Sequence, residues 1–170
     1  GPAKTQRVYE LDAKKSMVVF IDDRANVVPR RALRVTMAEQ AEKTLLKERV
    51  ATDMISAQSA MAAVGQERQG KPMPIAEIGT AVRADLVIYA TVDYFTLSRD
   101  GQSFNPSTLL RVKVVDTSTD KRLWPEDPRG YPVEVRLDAK TAAMPTSTSG
   151  RYKAEDELAV QAGLEVARLF

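Results

Sequence analysis

Two adjacent carboxylates, Asp22 and Asp23, form the clearest candidate for a binding site because they directly follow a short apolar run. Ligands of open α/β sheets collect at the carboxyl ends of strands, and paired carboxylates at such an edge can hold Mg²⁺. The plainer interpretation, which we favour, is that both residues end the strand in a polar loop. A phosphoacceptor site of the receiver type is not predicted, since no aspartate ends the later apolar strand at Ala90-Thr91.

Four arginines lie close to this carboxylate pair in the sequence, at Arg24, Arg30, Arg31 and Arg34. Guanidinium groups in such a cluster could bind a small anion, a phospholipid head group or the acidic patch of a partner. The alternative is that they are solvated charges near a helix terminus, compensated by nearby glutamates. The candidates for binding a ligand, an anion or Mg²⁺ are the two carboxylates and the first three arginines: Asp22, Asp23, Arg24, Arg30 and Arg31.

A second candidate region is the proline-rich loop Pro125–Pro132. Aromatic side chains dominate protein interfaces, so Trp124 and Tyr131 could anchor a partner there. For Trp124 we favour a place in the core at the end of its strand, and Tyr131 is left open between the two roles. A turn around Asp100 predicts a hairpin tip that could also contact a partner. The candidates for protein contact are Asp100, Trp124, Arg129 and Tyr131.

The composition excludes several classes of chemistry. The 170 residues contain neither cysteine nor histidine, which removes thiolate catalysis, disulfides and the commonest general base and metal ligand. We find no phosphate-binding glycine loop and no nucleophile elbow. The 25 basic and 23 acidic residues nearly balance, which is not typical of nucleic-acid binding. We therefore expect no enzyme, no cofactor, no bound metal and no nucleic-acid partner.

The stretch 84–97 organises the predicted fold. Its first part, Leu86–Ala90, is continuously apolar, which is typical of a strand buried on both faces at the centre of a sheet. From Val92 onward the pattern alternates, so Val92, Tyr94 and Thr96 are expected on one face and Asp93, Phe95 and Leu97 on the other. The strand is therefore expected to leave the buried centre and continue into a hairpin arm.

The other elements follow from apolar periodicity and from turn residues. In chain order they are a strand at 17–21, a helix at about 30–47 with Pro29 in its first turn, a strand at 50–55, a helix at 57–64 capped by Ser56, a polar connection at 66–71, a helix that begins at Pro74, strands at 109–116, 121–124 and 133–137, and a helix from about 152 to 170.

This order predicts one α/β domain with a mixed central sheet of about five or six strands, flanking helices and an antiparallel hairpin portion. Residues 1–15 are expected to be a tag remnant and tether, since Gly1-Pro2 is typical of a cleaved tag, and a native signal or lipidation site could have preceded them. Residues 16–138 are the α/β domain, 139–151 a flexible linker, and 152–170 a C-terminal helix packed on the domain. The edge strand at 133–137 could also pair between two copies of the chain.

Two segments carry a resemblance to a known group of bacterial envelope domains. They are the helix end IAEIG leading into ADLVIYA (75–79 and 84–90), and the hairpin VVDTSTDKRLW (114–124). In these segments the chain resembles the amino-terminal domain of TolB, the lipoprotein activators of penicillin-binding proteins and the curli-secretion lipoprotein CsgG. The stretch RLWPEDPRGYPVEV (122–135) also resembles uncharacterised lipoproteins of planctomycete-type bacteria.

The resemblance implies a mixed α/β domain that lies outside the cytoplasm, is often lipid-anchored and contacts other envelope proteins. It implies a periplasmic location, no catalysis, and membrane attachment only through a lipid anchor that this chain would have lost. The chain differs from the group in its Pro125–Pro132 loop and in its linker before the last helix. It also lacks the pore-forming hairpin segments of the curli lipoprotein, so no pore is expected.

Overall fold

The computed structural model describes residues 6–65, 71–139 and 143–170. In chain order the elements are β1 Met17–Asp22, α1 Arg31–Lys47, β2 Met54–Ile55, α2 Ala57–Val64, α3 Ile75–Val82, β3 Leu86–Thr96, β4 Ser107–Asp116, β5 Arg122–Trp124, β6 Tyr131–Arg136 and α4 Thr148–Ala167. The connection at 66–70, residues 140–142 of the predicted linker and the first five residues lie outside the described part of the chain.

The strands form one six-stranded mixed sheet in the order β2-β1-β3-β4-β5, with β6 also paired to β4. β1 is parallel to β2 and β3, whereas β3, β4, β5 and β6 are joined by antiparallel pairings. This confirms the predicted fold class. β6 pairs with β4 alone among the described strands, and pairing of its outer edge between two copies stays a prediction.

Two apolar layers cover the sheet. On one face, the buried stripe of α1, which contains Leu33, Met37 and Leu45, packs together with α4 against alternate strand residues. On the other face, α2 and α3 cover a smaller core built on Phe20, Val87 and Tyr89. Since every residue of Leu86–Ala90 is buried, β3 has its predicted place at the centre of the sheet.

The second half of β3 departs from simple alternation. A β-bulge between Val92 and Tyr94 leaves Asp93 without a cross-strand partner and moves the register by one residue. As a result Val92 and Phe95 are both buried in the larger core, although the sequence predicts them on opposite faces. The predicted alternation is therefore wrong beyond Val92.

Several element boundaries also differ from the prediction. α1 begins at Arg31 with Arg30 as its N-cap, so Pro29 precedes the helix rather than lying in its first turn. β2 is only Met54–Ile55, because the preceding residues turn out of α1. α4 begins at Thr148, where the Ser147 hydroxyl accepts a hydrogen bond from the Gly150 N–H, rather than at Tyr152.

The described part of the amino-terminal segment packs on the domain. Leu11 is buried in the larger core, and the Val8 and Tyr9 N–H groups donate to the Leu169 carbonyl. The Tyr9 ring stacks on Trp124 with 5.7 Å between ring centroids. Residues 6–11 thus join the carboxyl end of the chain to the β5 hairpin.

Candidate functional site

Asp22 lies at the end of β1 and is saturated by neighbouring donors. Its Oδ2 accepts hydrogen bonds from the Tyr89 hydroxyl at 2.6 Å and from Arg24 Nε at 2.9 Å. Its Oδ1 accepts from the Asp23 N–H and lies 3.8 Å from Arg34 Nη2. This carboxylate therefore joins β1, β3 and α1 at the carboxyl ends of the parallel strands.

Asp23 holds the loop that follows β1. Its two carboxylate oxygens accept from the Val27 N–H at 2.8 Å and the Val28 N–H at 2.9 Å, which shapes the approach to α1. The carboxylates of Asp22 and Asp23 thus both accept hydrogen bonds from groups of the chain itself, which is a structural role. In the three described ranges of the chain, no group of three or more acidic, histidine or cysteine residues is placed to hold a metal ion.

The cluster of arginines in the sequence separates in the structure. Arg24 lies beside Tyr89, and its Nε donates to the Tyr89 oxygen over 3.0 Å. Arg34 donates from Nε to the Ile21 carbonyl, and burial lowers its pKa. Arg31 reaches the Met61 carbonyl at the end of α2. Arg24 and Arg34 therefore contact the carboxyl end of β1, whereas Arg31 contacts α2.

Arg30 contacts α4, which packs beside α1 on the same face of the sheet. Its Nε donates to Glu155 at 2.9 Å, its Nη2 donates to Asp156 at 3.0 Å, and its guanidinium carbon lies 4.1 Å from the centroid of the Tyr152 ring. Arg30 thereby links the start of α1 to α4. Its contacts are separate from the groups around Asp22.

Trp124 lies within an aromatic cluster that joins both ends of the chain to β5 and β6. Its ring centroid is 5.1 Å from that of Tyr131 and 5.5 Å from that of Phe170, and Trp124 and Tyr131 both pack against the larger core. Arg129 is exposed and pairs with Asp127 at 2.9 Å. The Pro125–Pro132 loop therefore presents Arg129 to solvent, whereas both aromatic rings contribute to packing.

Asp100 shapes the tip of the β3–β4 hairpin. Its Oδ1 accepts from the Ser98 hydroxyl and from the N–H groups of Gln102 and Ser103, with distances of 2.8–3.0 Å. The two backbone donors come first among the contacts that hold the pKa of this carboxyl well below its ordinary value. Asp100 is exposed, and its Oδ1 already accepts the three hydrogen bonds that hold the turn.

A groove of about 900 Å³ lies between this hairpin and α4. The hairpin side contributes Phe104 and Pro106, and the helix side contributes Tyr152 and Val160. Tyr152 and Val160 are 45% and 39% exposed, which places them among the large apolar side chains of the described chain that face solvent. No local pattern in the sequence marks this groove, because the residues on its two sides, such as Phe104 and Tyr152, are far apart in the chain and meet only in the folded structure.

Lys113 is a second feature that becomes apparent only in the folded structure. It lies opposite Tyr89 in the β3–β4 pairing, on the face that carries α2 and α3, and it is half-buried. Burial lowers its pKa, and the charges of Arg122 and Arg24 lower it further. The available signal was a lysine at the centre of a strand in which apolar residues alternate with two basic ones.

No helix among the described residues is long and apolar enough to cross a membrane. No family model matches the chain, and no curated protein sequence matches it. Protein XCC0632 from Xanthomonas campestris has a similar solved structure, with a TM-score of 0.50 at 9% identity over 98% of this chain and 90% of that chain. This likeness shows a shared fold.

Two further solved structures align over most of their length. The lipoprotein GNA1162 from Neisseria meningitidis covers 86% of this chain and 96% of its own, with 15% identity and a TM-score of 0.48. The PelC dodecamer from Paraburkholderia phytofirmans covers 97% of this chain and 95% of its own, with 14% identity and a TM-score of 0.49. Kinship with TolB, with CsgG or with planctomycete lipoproteins stays a prediction.

Proposed function

We propose that this chain is an accessory domain of the bacterial envelope that binds another envelope protein and performs no chemistry of its own. The observation that carries the proposal is the groove between the hairpin tip and α4. Tyr152 and Val160 expose apolar surface on one side of it, and Phe104 faces them from the hairpin. Exposed apolar side chains gathered in one concave surface are typical of a protein-contact site.

The charges around the groove indicate the chemistry of the partner. Its rim carries Asp138, Asp156 and Glu157 against one lysine, Lys153. Asp156 is committed to Arg30, whereas Glu157 forms no ion pair within the described residues. The partner segment that fits is one that inserts an apolar side chain and has basic residues beside it, because opposite charges at a rim guide association.

The resemblance noted in the sequence supports an envelope role. Its two segments lie side by side, since Leu86 pairs with Asp116 and the Thr117 N–H donates to the Asp85 carbonyl at 2.9 Å. They therefore form one continuous unit of the fold. An extracytoplasmic location with a lipid anchor in the full-length protein is part of this proposal. Fractionation of cells that express the full-length protein tests the location, and recovery in the soluble cytoplasmic fraction would contradict it.

The Pro125–Pro132 loop is a second contact surface in this proposal. Arg129 is an exposed charged side chain of this loop, and Tyr131 begins β6 shortly after it. Partner capture that is unchanged by Tyr131→Ala and Arg129→Ala would remove this loop and leave the groove as the only proposed contact.

The decisive experiment is crosslinked capture from detergent-solubilised membranes with matched variants. Val160→Glu places a charge in the acidic groove, and Leu123→Glu makes the same change at a similarly exposed position, 43% accessible, outside it. We expect wild type and Leu123→Glu to recover one envelope protein in stoichiometric amount, and Val160→Glu to lose it. Equal recovery by both variants would exclude the groove, and no stoichiometric partner for the wild type would refute the proposed function.

A further inference from the structure

The face of the sheet that carries α2 and α3 also carries basic side chains of β4. Along β4, Leu110, Val112 and Val114 are buried in the larger core, so Arg111 and Lys113 lie on the opposite face. Tyr89 and Lys113 are directly opposite in register, and Val115 pairs with Arg122 of β5. Residues opposite each other in a sheet share a face, which brings Tyr89, Lys113 and Arg122 together.

Arg24 completes this group from the loop after β1. Its Nε donates to the Tyr89 oxygen at 3.0 Å, so its guanidinium lies at the tip of the ring that neighbours Lys113. Its two terminal nitrogens make no hydrogen bond in the described ranges of the chain. Arg122 uses Nε and one terminal nitrogen to hold the Pro125 and Glu126 carbonyls, and the other terminal nitrogen is not used there.

The balance of charge in this group is unusual for a half-buried position. Among the described residues, Lys113 forms no ion pair or hydrogen bond. The nearby carboxylates are each paired with an arginine: Asp22 with Arg24, which belongs to this group, Asp93 with Arg111 and Asp127 with Arg129. Like charges that face each other destabilise the charged forms unless an anion lies between them. The pKa of Lys113 is lowered first by burial and then by the two arginines, with the Asp127 charge acting in the opposite direction, and this agrees with the geometry.

We propose that Lys113, Arg24 and Arg122 form a binding site for a phosphate group on the open face of the sheet. A phosphate carries enough charge and oxygen atoms to meet three cations at once, and the planar donors of arginine fit it well. The Tyr89 hydroxyl fixes the position of Arg24. This site shares only Arg24 with the candidates identified from the sequence, and it does not depend on the protein-binding groove, which lies at α4.

Titration calorimetry with inorganic phosphate, at ionic strength kept constant with chloride, tests the site. We expect saturable binding to the wild type, and a loss of about tenfold or more in affinity for Lys113→Gln because a charge-assisted contact disappears. Lys43→Gln removes the same charge from an exposed position on α1, in the opposite layer, and should bind like the wild type. Equal affinity in the two variants would overturn the proposal, and if free phosphate does not bind saturably, the vesicle experiment below decides it.

The stability of Lys113→Gln in phosphate-free buffer provides an independent check. If Lys113 is held only among like charges, its removal leaves the melting temperature unchanged or raises it. A clear decrease would show that the amine has a stabilising intramolecular partner, and would overturn the proposal. Since this readout does not involve ligand, it also shows that the variant is folded.

Vesicles distinguish a soluble phosphate ligand from a lipid head group. Wild type that sediments with phosphatidylglycerol vesicles but not with phosphatidylcholine vesicles, while Lys113→Gln stays in solution, would assign the site to a lipid phosphodiester. Binding of inorganic phosphate without sedimentation would assign it to a soluble ligand. If neither free phosphate nor phosphatidylglycerol binds, there is no phosphate site at Lys113.

Discussion

The Tyr89 hydroxyl donates a hydrogen bond to Asp22 Oδ2 over 2.6 Å and thereby joins the central strand to the end of β1. Burial raises the pKa of Tyr89 above its ordinary value, and the Asp22 carboxylate raises it further, so the hydroxyl stays protonated as the donor. Phe20 stacks on the same ring, with 6.2 Å between ring centroids. Asp22, which the sequence suggested as a ligand-binding residue, is thus a hydrogen-bond acceptor that holds the central strand to β1.

Tyr89→Phe should therefore lower the free energy of unfolding by about 1–2 kcal/mol, because Asp22 loses a donor at a buried position. Tyr94→Phe is the matched control: its hydroxyl accepts from Arg99 at an exposed site, and its loss should cost less than about 0.5 kcal/mol. Urea unfolding of the two variants measures both values. A cost for Tyr89→Phe no greater than that of the control would show that Asp22 is satisfied without Tyr89.

Glu42 makes the stability depend on pH. Burial raises the pKa of this carboxyl to about 7, although the Ala57 N–H, which donates to it at 2.6 Å, acts in the opposite direction. Because the folded pKa is above the unfolded one of 4.5, the folded state binds more protons between these values. Stability should therefore decrease as the pH rises from 4.5 to 7, by at most about 1.4 kcal/mol per pH unit.

Glu42→Gln should flatten this dependence, since the amide oxygen still accepts from Ala57 and carries no charge. Above pH 7 the variant should be more stable than the wild type, and the difference should close as the pH falls toward 4.5. Urea midpoints at a series of pH values measure this, with Glu157→Gln, which changes an exposed glutamate on α4, as the control. Parallel curves for wild type and Glu42→Gln would contradict the prediction.

The elements with strong local periodicity could be predicted from the sequence, and those fixed by cross-strand pairing could not. The apolar run Leu86–Ala90 and the stripe of α1 are properties of neighbouring residues, and both are confirmed. The bulge at Asp93 depends on how β3 meets β4 fourteen or more residues away, so alternation alone placed Phe95 on the wrong face.

The same reason limits the prediction of a site. Arg24, Arg30 and Arg31 are neighbours in the chain, yet the turn before α1 directs Arg30 to α4 and Arg31 to α2. Tyr89 and Lys113 are far apart in the chain and become neighbours only through strand register. Linear proximity of charges is therefore a poor guide to a shared site where a helix begins within the cluster.

Gly163 permits the close approach of α1 and α4. A β-carbon at this position would overlap the Met37 carbonyl and lie 2.8 Å from Gln40 Cβ. Gly163→Ala should therefore cost about 1–3 kcal/mol through overpacking, despite the better helix propensity of alanine. Gly65→Ala, where the nearest atom would be 3.3 Å away at the end of α2, should be close to neutral. Similar melting temperatures for the two variants would show that the helices can separate at little cost.

Substitution of Arg30 distinguishes a structural role of this residue from a role in anion binding. Glu155 is buried and depends on Arg30 for its ion pair, so Arg30→Ala should cost about 1–3 kcal/mol by leaving that carboxylate without its donor. Asp156→Ala removes the exposed partner of the same guanidinium and should cost less than about 1 kcal/mol. Because Arg30 faces α4, its loss should leave phosphate affinity unchanged. Urea unfolding and phosphate titration of both variants test these values, and weaker phosphate binding by Arg30→Ala would move the anion site back to the start of α1.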